Sequence, residues 1–162
     1  MSKGLIFAIS APSGTGKTTV SERIIWSIPN VVRSVSFNTR EKRPSEIDGV
    51  DYIFMSNEEF DVHVKNENLI EYTEIYNARR GTPKAPLLAN QQNNIDTICV
   101  IEWNGTKCLK EQFGGTVVSI YLFPPSIDVL AERLTLRGQD SKENIKLRMQ
   151  NVHQEMTHAA EY

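Results

Sequence analysis

Apolar residues cluster in short unbroken runs at Leu5–Ile9, Thr97–Ile101 and Val117–Phe123. None alternates with polar residues, and each is rich in Val, Ile and Leu, as expected of parallel strands buried on both faces. Other stretches carry a helical period instead. Thr19–Ser27 reads as a helix ended by Pro29 and Asn30. In Ser126–Leu136, Ser126 is placed to cap, and Ile127, Leu130 and Leu134 share one face. Lys142–Tyr162 repeats the pattern with Ile145, Met149, Val152 and Met156. Between the first two strand runs, Ser34–Ala89 is different: aromatic, charged and turn residues alternate, including Asp48-Gly49 and Val50–Phe54. It predicts an inserted, largely antiparallel lobe followed by helical turns. No internal repeat or low-complexity linker interrupts the chain.

The chain has 162 residues, enough for one domain with a real core and too few for two. A net charge of −2 supplies no basic field, which argues against nucleic acid as a partner. Cys99 and Cys108 lack the spacing of a zinc or redox pair and read as buried free thiols in a reducing cytosol. The N-terminus has no signal-peptide pattern, and the Leu5–Ile9 run is too short to span a bilayer. The expectation is a cytoplasmic protein with no membrane partner. Oligomeric state is not legible.

The chemistry begins directly after the first strand run. Ser10-Ala11-Pro12-Ser13-Gly14-Thr15-Gly16-Lys17-Thr18-Thr19 meets the phosphate-loop pattern G-x-x-x-x-G-K-[ST] except at its first glycine, which is Ala11. Gly14 and Gly16 allow the backbone N–H groups to turn inward, and a helix starting near Lys17 aims its positive end at the anion. Lys17 can reach the β- and γ-phosphates, and the Thr18 hydroxyl can ligate the Mg²⁺ between them. A second cationic set follows the next strand-like segment: Ser36-Phe37-Asn38-Thr39-Arg40-Glu41-Lys42-Arg43. Paired guanidinium donors suit a phosphate monoester. Arg133 and Arg137 lie one helical turn apart, and Arg148 follows on the next helix, positions suited to charge building on a transferring phosphoryl group.

Together with further motifs these residues resemble the guanylate kinases, P-loop nucleoside-monophosphate kinases. The resemblance runs from about residue 4 to the end. It rests on Ser36-x-x-Thr39-Arg40-x-x-Arg43, Glu46-x-x-Gly49-x-Asp51-Tyr52-x-Phe54, Ile70-Glu71-Tyr72, Gly81-Thr82-Pro83-Lys84, Pro124-Pro125-Ser126, Arg133-Leu134-x-x-Arg137-Gly138-x-Asp140, and Ile145-x-x-Arg148 with Glu155. It implies an α/β fold: a P-loop NTPase-type parallel sheet core flanked by helices, with an inserted mixed α/β GMP-binding lobe and a helical lid. The divisions it implies are core 1–33 and 90–132, lobe 34–89 and lid about 133–148. The family continues into a last strand and helix beyond the position of Tyr162, so a longer natural chain is expected.

By the same resemblance the chain transfers the γ-phosphoryl group of ATP to GMP with Mg²⁺. Ser13, Gly14, Thr15, Gly16, Lys17, Thr18, Thr19 and Arg133 would bind ATP. Ser36, Arg40, Arg43 and Tyr52 would hold the GMP phosphate, while Glu71 and Thr82 would read guanine. Lys17, Arg43, Arg137 and Arg148 would surround the reacting centre, and Thr18, with Glu102 through water, would serve the metal. Glu71 suits a base with two adjacent donors, because adenine would leave its charge unpaired. The sequence departs from the family at Arg80, where an aromatic usually precedes the Gly-Thr pair, so Arg80 stands in as a cationic GMP ligand. It departs again at Val100-Ile101-Glu102, where Asp-x-Asp is usual; Glu102 remains for GMP or a metal-bound water. The alternative is a guanylate-kinase-like binding module with weak or no catalysis.

Overall fold

A computed structural model describes residues 3–75, 78–137 and 142–162; within these, the side chains of Arg137 and Arg148 are among those outside the description. The apolar runs form a four-stranded parallel sheet from β1 (Ile6–Ser10), β2 (Val31–Arg33), β7 (Asp96–Val100) and β8 (Val117–Tyr121), in the order β2-β7-β1-β8. Ile6 lies opposite both Thr97 and Val117, so β7, β1 and the edge strand β8 run level to within a residue. Residues buried from both sides explain the missing alternation: Ile6, Ala8, Ile9, Ile98 and Cys99 are each almost fully enclosed. The strand runs expected from sequence are displaced by at most two residues at their ends.

The inserted segment builds a second sheet from β3 (Phe37–Asn38), β4 (Ile53–Phe54), β5 (Leu69–Ile75) and β6 (Ala78–Pro83), ordered β4-β3-β6-β5. It is mixed: β3 pairs β6 and β6 pairs β5 antiparallel, but β3 and β4 are parallel. The parallel pair arises because the chain loops from Arg40 through Asp51 before returning beside β3. Only Ile53–Phe54 of the Val50–Phe54 run joins a strand, since Asp48, Gly49 and Asp51 commit the preceding residues to turns.

Helices cover both sheets. α1 (Lys17–Ser27), α4 (Trp103–Phe113) and α5 (Ile127–Arg137) flank the core; α2 (Asn57–Lys65) caps one face of the second sheet, and α3 (Lys84–Gln92) leads back to β7. A capping box starts α2: the Ser56 hydroxyl accepts from the Glu59 N–H at 3.1 Å, while the Ser56 N–H donates to Glu59 Oε2 at 2.8 Å. Ser126 caps α5 by accepting from Val129 at 3.2 Å, and Leu130 and Leu134 are buried as its periodicity requires. Ile127, expected on the same buried face, is instead 36% exposed at the helix start. The stretch expected as one helix over Lys142–Tyr162 is α6 (Lys142–Thr157) followed by a tighter 3₁₀ turn, His158–Glu161. Cys99 is buried as expected, but Cys108 is only half-buried on α4. Among the described residues no helix is long and apolar enough to cross a membrane.

Phe60 anchors α2: it is fully buried, with Tyr72 edge-on at 6.0 Å and the Arg79 guanidinium 4.5 Å from its ring centre. Truncating it leaves a cavity that the surrounding strands cannot collapse to fill. Phe60→Ala is expected to lower unfolding free energy by about 3–5 kcal/mol, read from urea midpoints at constant slope.

Candidate active site

Strand β1 runs out at Ser10 and the next residues wrap into α1. Gly14 has φ 88° and Gly16 φ 110°, a left-handed region that side chains resist. A Cβ at Gly14 would also stand 3.2 Å from Leu134 and 3.4 Å from Leu130, so this glycine packs the loop onto α5. Ala11, at the position of the pattern's first glycine, is 5% exposed and needs no special conformation. Its carbonyl accepts from Lys17 Nζ, and Pro12 O lies 3.5 Å from the same nitrogen. Arg133 reaches from α5 to donate to Thr15 O at 3.1 Å. The loop therefore gathers Lys17, Arg133 and the N-terminal N–H groups of α1, whose first turn has no intrahelical acceptors. Thr18 lies exposed in that turn. The Thr15 hydroxyl is buried without a partner among the described residues.

The second cationic group is organised by a residue whose role sequence reasoning missed. Glu46 takes a two-pronged grip on Arg40, with Nη1–Oε2 at 2.7 Å and Nη2–Oε1 at 2.5 Å, and accepts from the Arg43 backbone N–H at 2.9 Å. These bonds hold the Glu46 carboxyl down at about 2, well below its ordinary range, with the Arg40 bond the largest cause. Tyr52 and Phe54 present their rings to the same guanidinium at 5.4 and 5.5 Å. Arg40, Arg43 and Tyr52 are thus brought onto one loop, with Ser36 just before it accepting at its carbonyl from Ile53. A signal existed in the sequence: a carboxylate six residues after Arg40 and three after Arg43.

Opposed to these cations stands a carboxylate cluster. In the register Glu71 faces Thr82 and Thr73 faces Arg80, so one face of the sheet carries Glu71, Thr73, Arg80 and Thr82. The Thr82 hydroxyl donates to Glu71 Oε1 at 2.7 Å. Burial nevertheless pushes the Glu71 carboxyl above its usual value, with Thr82 and the charge of Arg80 opposing that rise. A cavity of about 420 Å³ opens here, lined by Glu71, Tyr72, Arg80, Glu102, Gly105 and Cys108 among others. Gly105 is required by proximity: a Cβ would fall 2.3 Å from Ile101 and 3.0 Å from Glu71 Cγ. Arg80 Nη2 lies 3.4 Å from Glu102 Oε1.

Glu102 follows β7 and starts α4, where its carbonyl accepts from Thr106. Ligand sites of open parallel sheets lie beyond the carboxyl ends of the strands, and Ser10, Glu102 and Tyr121 mark those ends here. They border a smaller cavity of about 280 Å³ with Asn151 and Glu155 of α6. Arg137 and Arg148 lie on α5 and α6, but the description does not extend to their side chains, nor to Gly138 and Asp140.

Comparison with known proteins accords with this geometry. The family described as guanylate kinase matches residues 3–162. A guanylate kinase of Bradyrhizobium diazoefficiens is 42% identical over 160 residues, covering 99% of this chain and 73% of the relative. One from Rickettsia prowazekii is 40% identical, with 99% and 81% covered. The crystal structure of guanylate kinase from Anaplasma phagocytophilum superposes with a TM-score of 0.80 at 32% identity, covering 99% of this chain and 74% of that one.

The depressed Glu46 carboxyl gives a pH signature. Its folded value, about 2, lies below the ordinary 4.5, so the folded state binds fewer protons and gains stability as pH rises through this window. That contribution is full above about 4.5 and is lost as pH falls toward 2. Melting curves from pH 6 to 3 should show Glu46→Gln less stable than the parent at pH 6, with the difference narrowing on acidification.

Proposed function

The chain belongs to the guanylate kinase family and is an ATP:GMP phosphotransferase; on that premise we propose how its own residues share the reaction. ATP phosphates lie in the loop of Ser13, Gly14, Thr15, Gly16, Lys17, Thr18 and Thr19, with Arg133 against them from α5. The GMP phosphate meets Ser36, Arg40, Arg43 and Tyr52. Glu71 and Thr82 read the base, with Arg80 and Glu102 beside them. In this reading the second sheet is the GMP lobe (34–89), the core comprises 1–33 and 90–132, and the segment from about 133 to 148 is the lid.

One observation carries the assignment of substrate ends: the Glu71–Thr82 pair, its threonine buried and its carboxylate partly so, faces a cavity of about 420 Å³, apart from the loops that gather Lys17 and Arg40. An ionised carboxylate offers acceptors only, which matches the ring N–H and exocyclic amine of guanine and leaves adenine without a partner there. No general base is needed, because the attacking phosphate oxygen is already anionic. What remains is positioning and charge neutralisation, supplied in this reading by Lys17, Arg43, Arg137 and Arg148. Closure of lobe and lid excludes water that would otherwise accept the phosphoryl group.

The donor set fits magnesium entering with ATP. Among the described residues no three His, Cys, Asp or Glu side chains converge as a cation cage. A lone Thr18 hydroxyl in the first turn of α1, with Glu102 through water, suits an ion held chiefly by phosphates and solvent. Held there, the ion would supply charge neutralisation for the transferring phosphoryl group. The binding-module alternative is not favoured, since the similar curated proteins are enzymes.

Two substitutions test the division. In a coupled ADP-release assay Lys17→Ala should reduce GMP-dependent turnover by roughly 10²–10³-fold while leaving the thermal melt in place, because it removes a charge stabiliser rather than core. Glu71→Gln should cut the preference for GMP over AMP by about tenfold or more with little change in KM for ATP. Preserved turnover in the first, or preserved selectivity in the second, overturns that assignment.

A further inference from the structure

Arg33 ends the edge strand β2, where the chain passes from the core sheet toward β3. It lies opposite Ile98 and two residues beyond Val31, so its stem rises on the face where those residues pack with Ile24 and Ile25 of α1. From there the guanidinium reaches a carbonyl 18 residues along the chain: Nη2 donates to Asp51 O at 3.4 Å. The Asp51 carboxylate is not its target, being turned to accept from the Ile47 N–H at 2.8 Å. Arg33 Nε is buried and has no hydrogen-bond partner among the described residues. Gln112 and Arg80 also link the core to the second sheet, through Ile70 and Glu102, beside the base cavity. Of these three, it is Arg33 that reaches the turn carrying Tyr52.

We propose that Arg33 is a positioning residue for Tyr52: rooted on the core sheet, it holds the Asp51 carbonyl and through it sets where Tyr52 meets the GMP phosphate. This rests on the reading of Tyr52 as a phosphate ligand and extends it to the residue that places it. The lever is the peptide bond. The Asp51 carbonyl and the Tyr52 nitrogen share one rigid plane, so a donor that fixes the first constrains the backbone of the second. The turn transmits that constraint because it is closed on itself: the Asp51 N–H donates to Ile47 O at 2.9 Å, and the Gly49 N–H to Tyr52 O at 2.8 Å. Beyond the turn, the Tyr52 ring lies 5.8 Å from the Phe54 ring and 5.4 Å from the Arg40 guanidinium. Stability does not account for the arginine. Its bond to Asp51 is long, and a buried N–H without an acceptor costs folding free energy. An apolar side chain of similar length would fill the same space without that cost. A side chain that burdens the fold while gripping the backbone beside a substrate ligand points to recognition as its role.

The test is a double-mutant cycle of Arg33→Met and Tyr52→Phe, with Arg33→Lys as the conservative variant, read by steady-state kinetics with GMP and ATP and by thermal melts. Arg33→Met should raise KM for GMP about three- to tenfold, more than it lowers kcat, and leave KM for ATP in place. Its melting temperature should equal or exceed the parent's, opposite to the loss that a structural role predicts. Arg33→Lys, which keeps a donor, should recover part of the GMP affinity. In the Tyr52→Phe background Arg33→Met should weaken GMP little further, because the hydroxyl it places is gone. If the two effects multiply, Arg33 acts on GMP independently of Tyr52 and the proposal fails. An unchanged KM for GMP overturns it too, as does a lower melting temperature with GMP and ATP weakened by one factor. Tyr52→Phe alone without effect on KM for GMP brings down the reading of Tyr52 as a phosphate ligand, and the proposal with it, a result visible without touching Arg33.

Discussion

A single irregularity in β5 decides where the chemistry can be. Leu69 pairs with Pro83 and Glu71 with Thr82, so two steps on β5 match one on β6 and Ile70 is the extra residue. Such a bulge re-aims side chains. Ile70 enters the main core with Ile6, Ala8, Cys99, Ile101 and Leu109, and its carbonyl accepts from Gln112 of α4 at 3.1 Å. The inserted sheet is thereby fastened to the core at the residue immediately before Glu71. The attachment of the inserted sheet beside Glu71 follows from this hydrophobic burial, which is less directional than any polar contact across the cavity.

With that anchor in place, the site divides by charge. Lys17 and Arg133 converge on the loop after β1, and Arg40 and Arg43 on the loop after β3, while Glu71 and Glu102 share the cavity beyond. A molecule with an anionic end and a donor-rich end has one favourable orientation in such a field. The chain's overall charge of −2 conceals this separation, because the sum says nothing about placement. Glu46 shows how closely placement is managed: a carboxylate set among the arginines orders them by accepting from both.

How much could be read beforehand follows the range of the interactions. The phosphate loop and the three apolar strands were legible because their signals are local: positive-φ glycines next to a lysine, and runs of Val and Ile without alternation. Ser126 announced its cap for the same reason. The brief strands β2 to β4 were obscure, since two or three residues carry no period and their pairing is settled by distant partners. The bulge at Ile70 was invisible, because it exists only relative to β6. Cys108, expected as a buried free thiol, lines a cavity shared with the second sheet. The parallel pairing of β3 with β4 depended on turns at Asp48 and Asp51 whose carboxylates bond to backbone N–H groups several residues away.

Gly105 carries a consequence beyond packing. Its missing side chain is the space in which the Glu71 stem and the Ile101 branch sit, one from the inserted sheet and one from the core. Positions 71, 101 and 105 therefore share a single allotment of volume, and enlarging one requires shrinking another. Sequence change at this spot must be concerted: a lineage that drifts at 105 first loses the geometry of its carboxylate, so the accessible route runs through a smaller residue at 101.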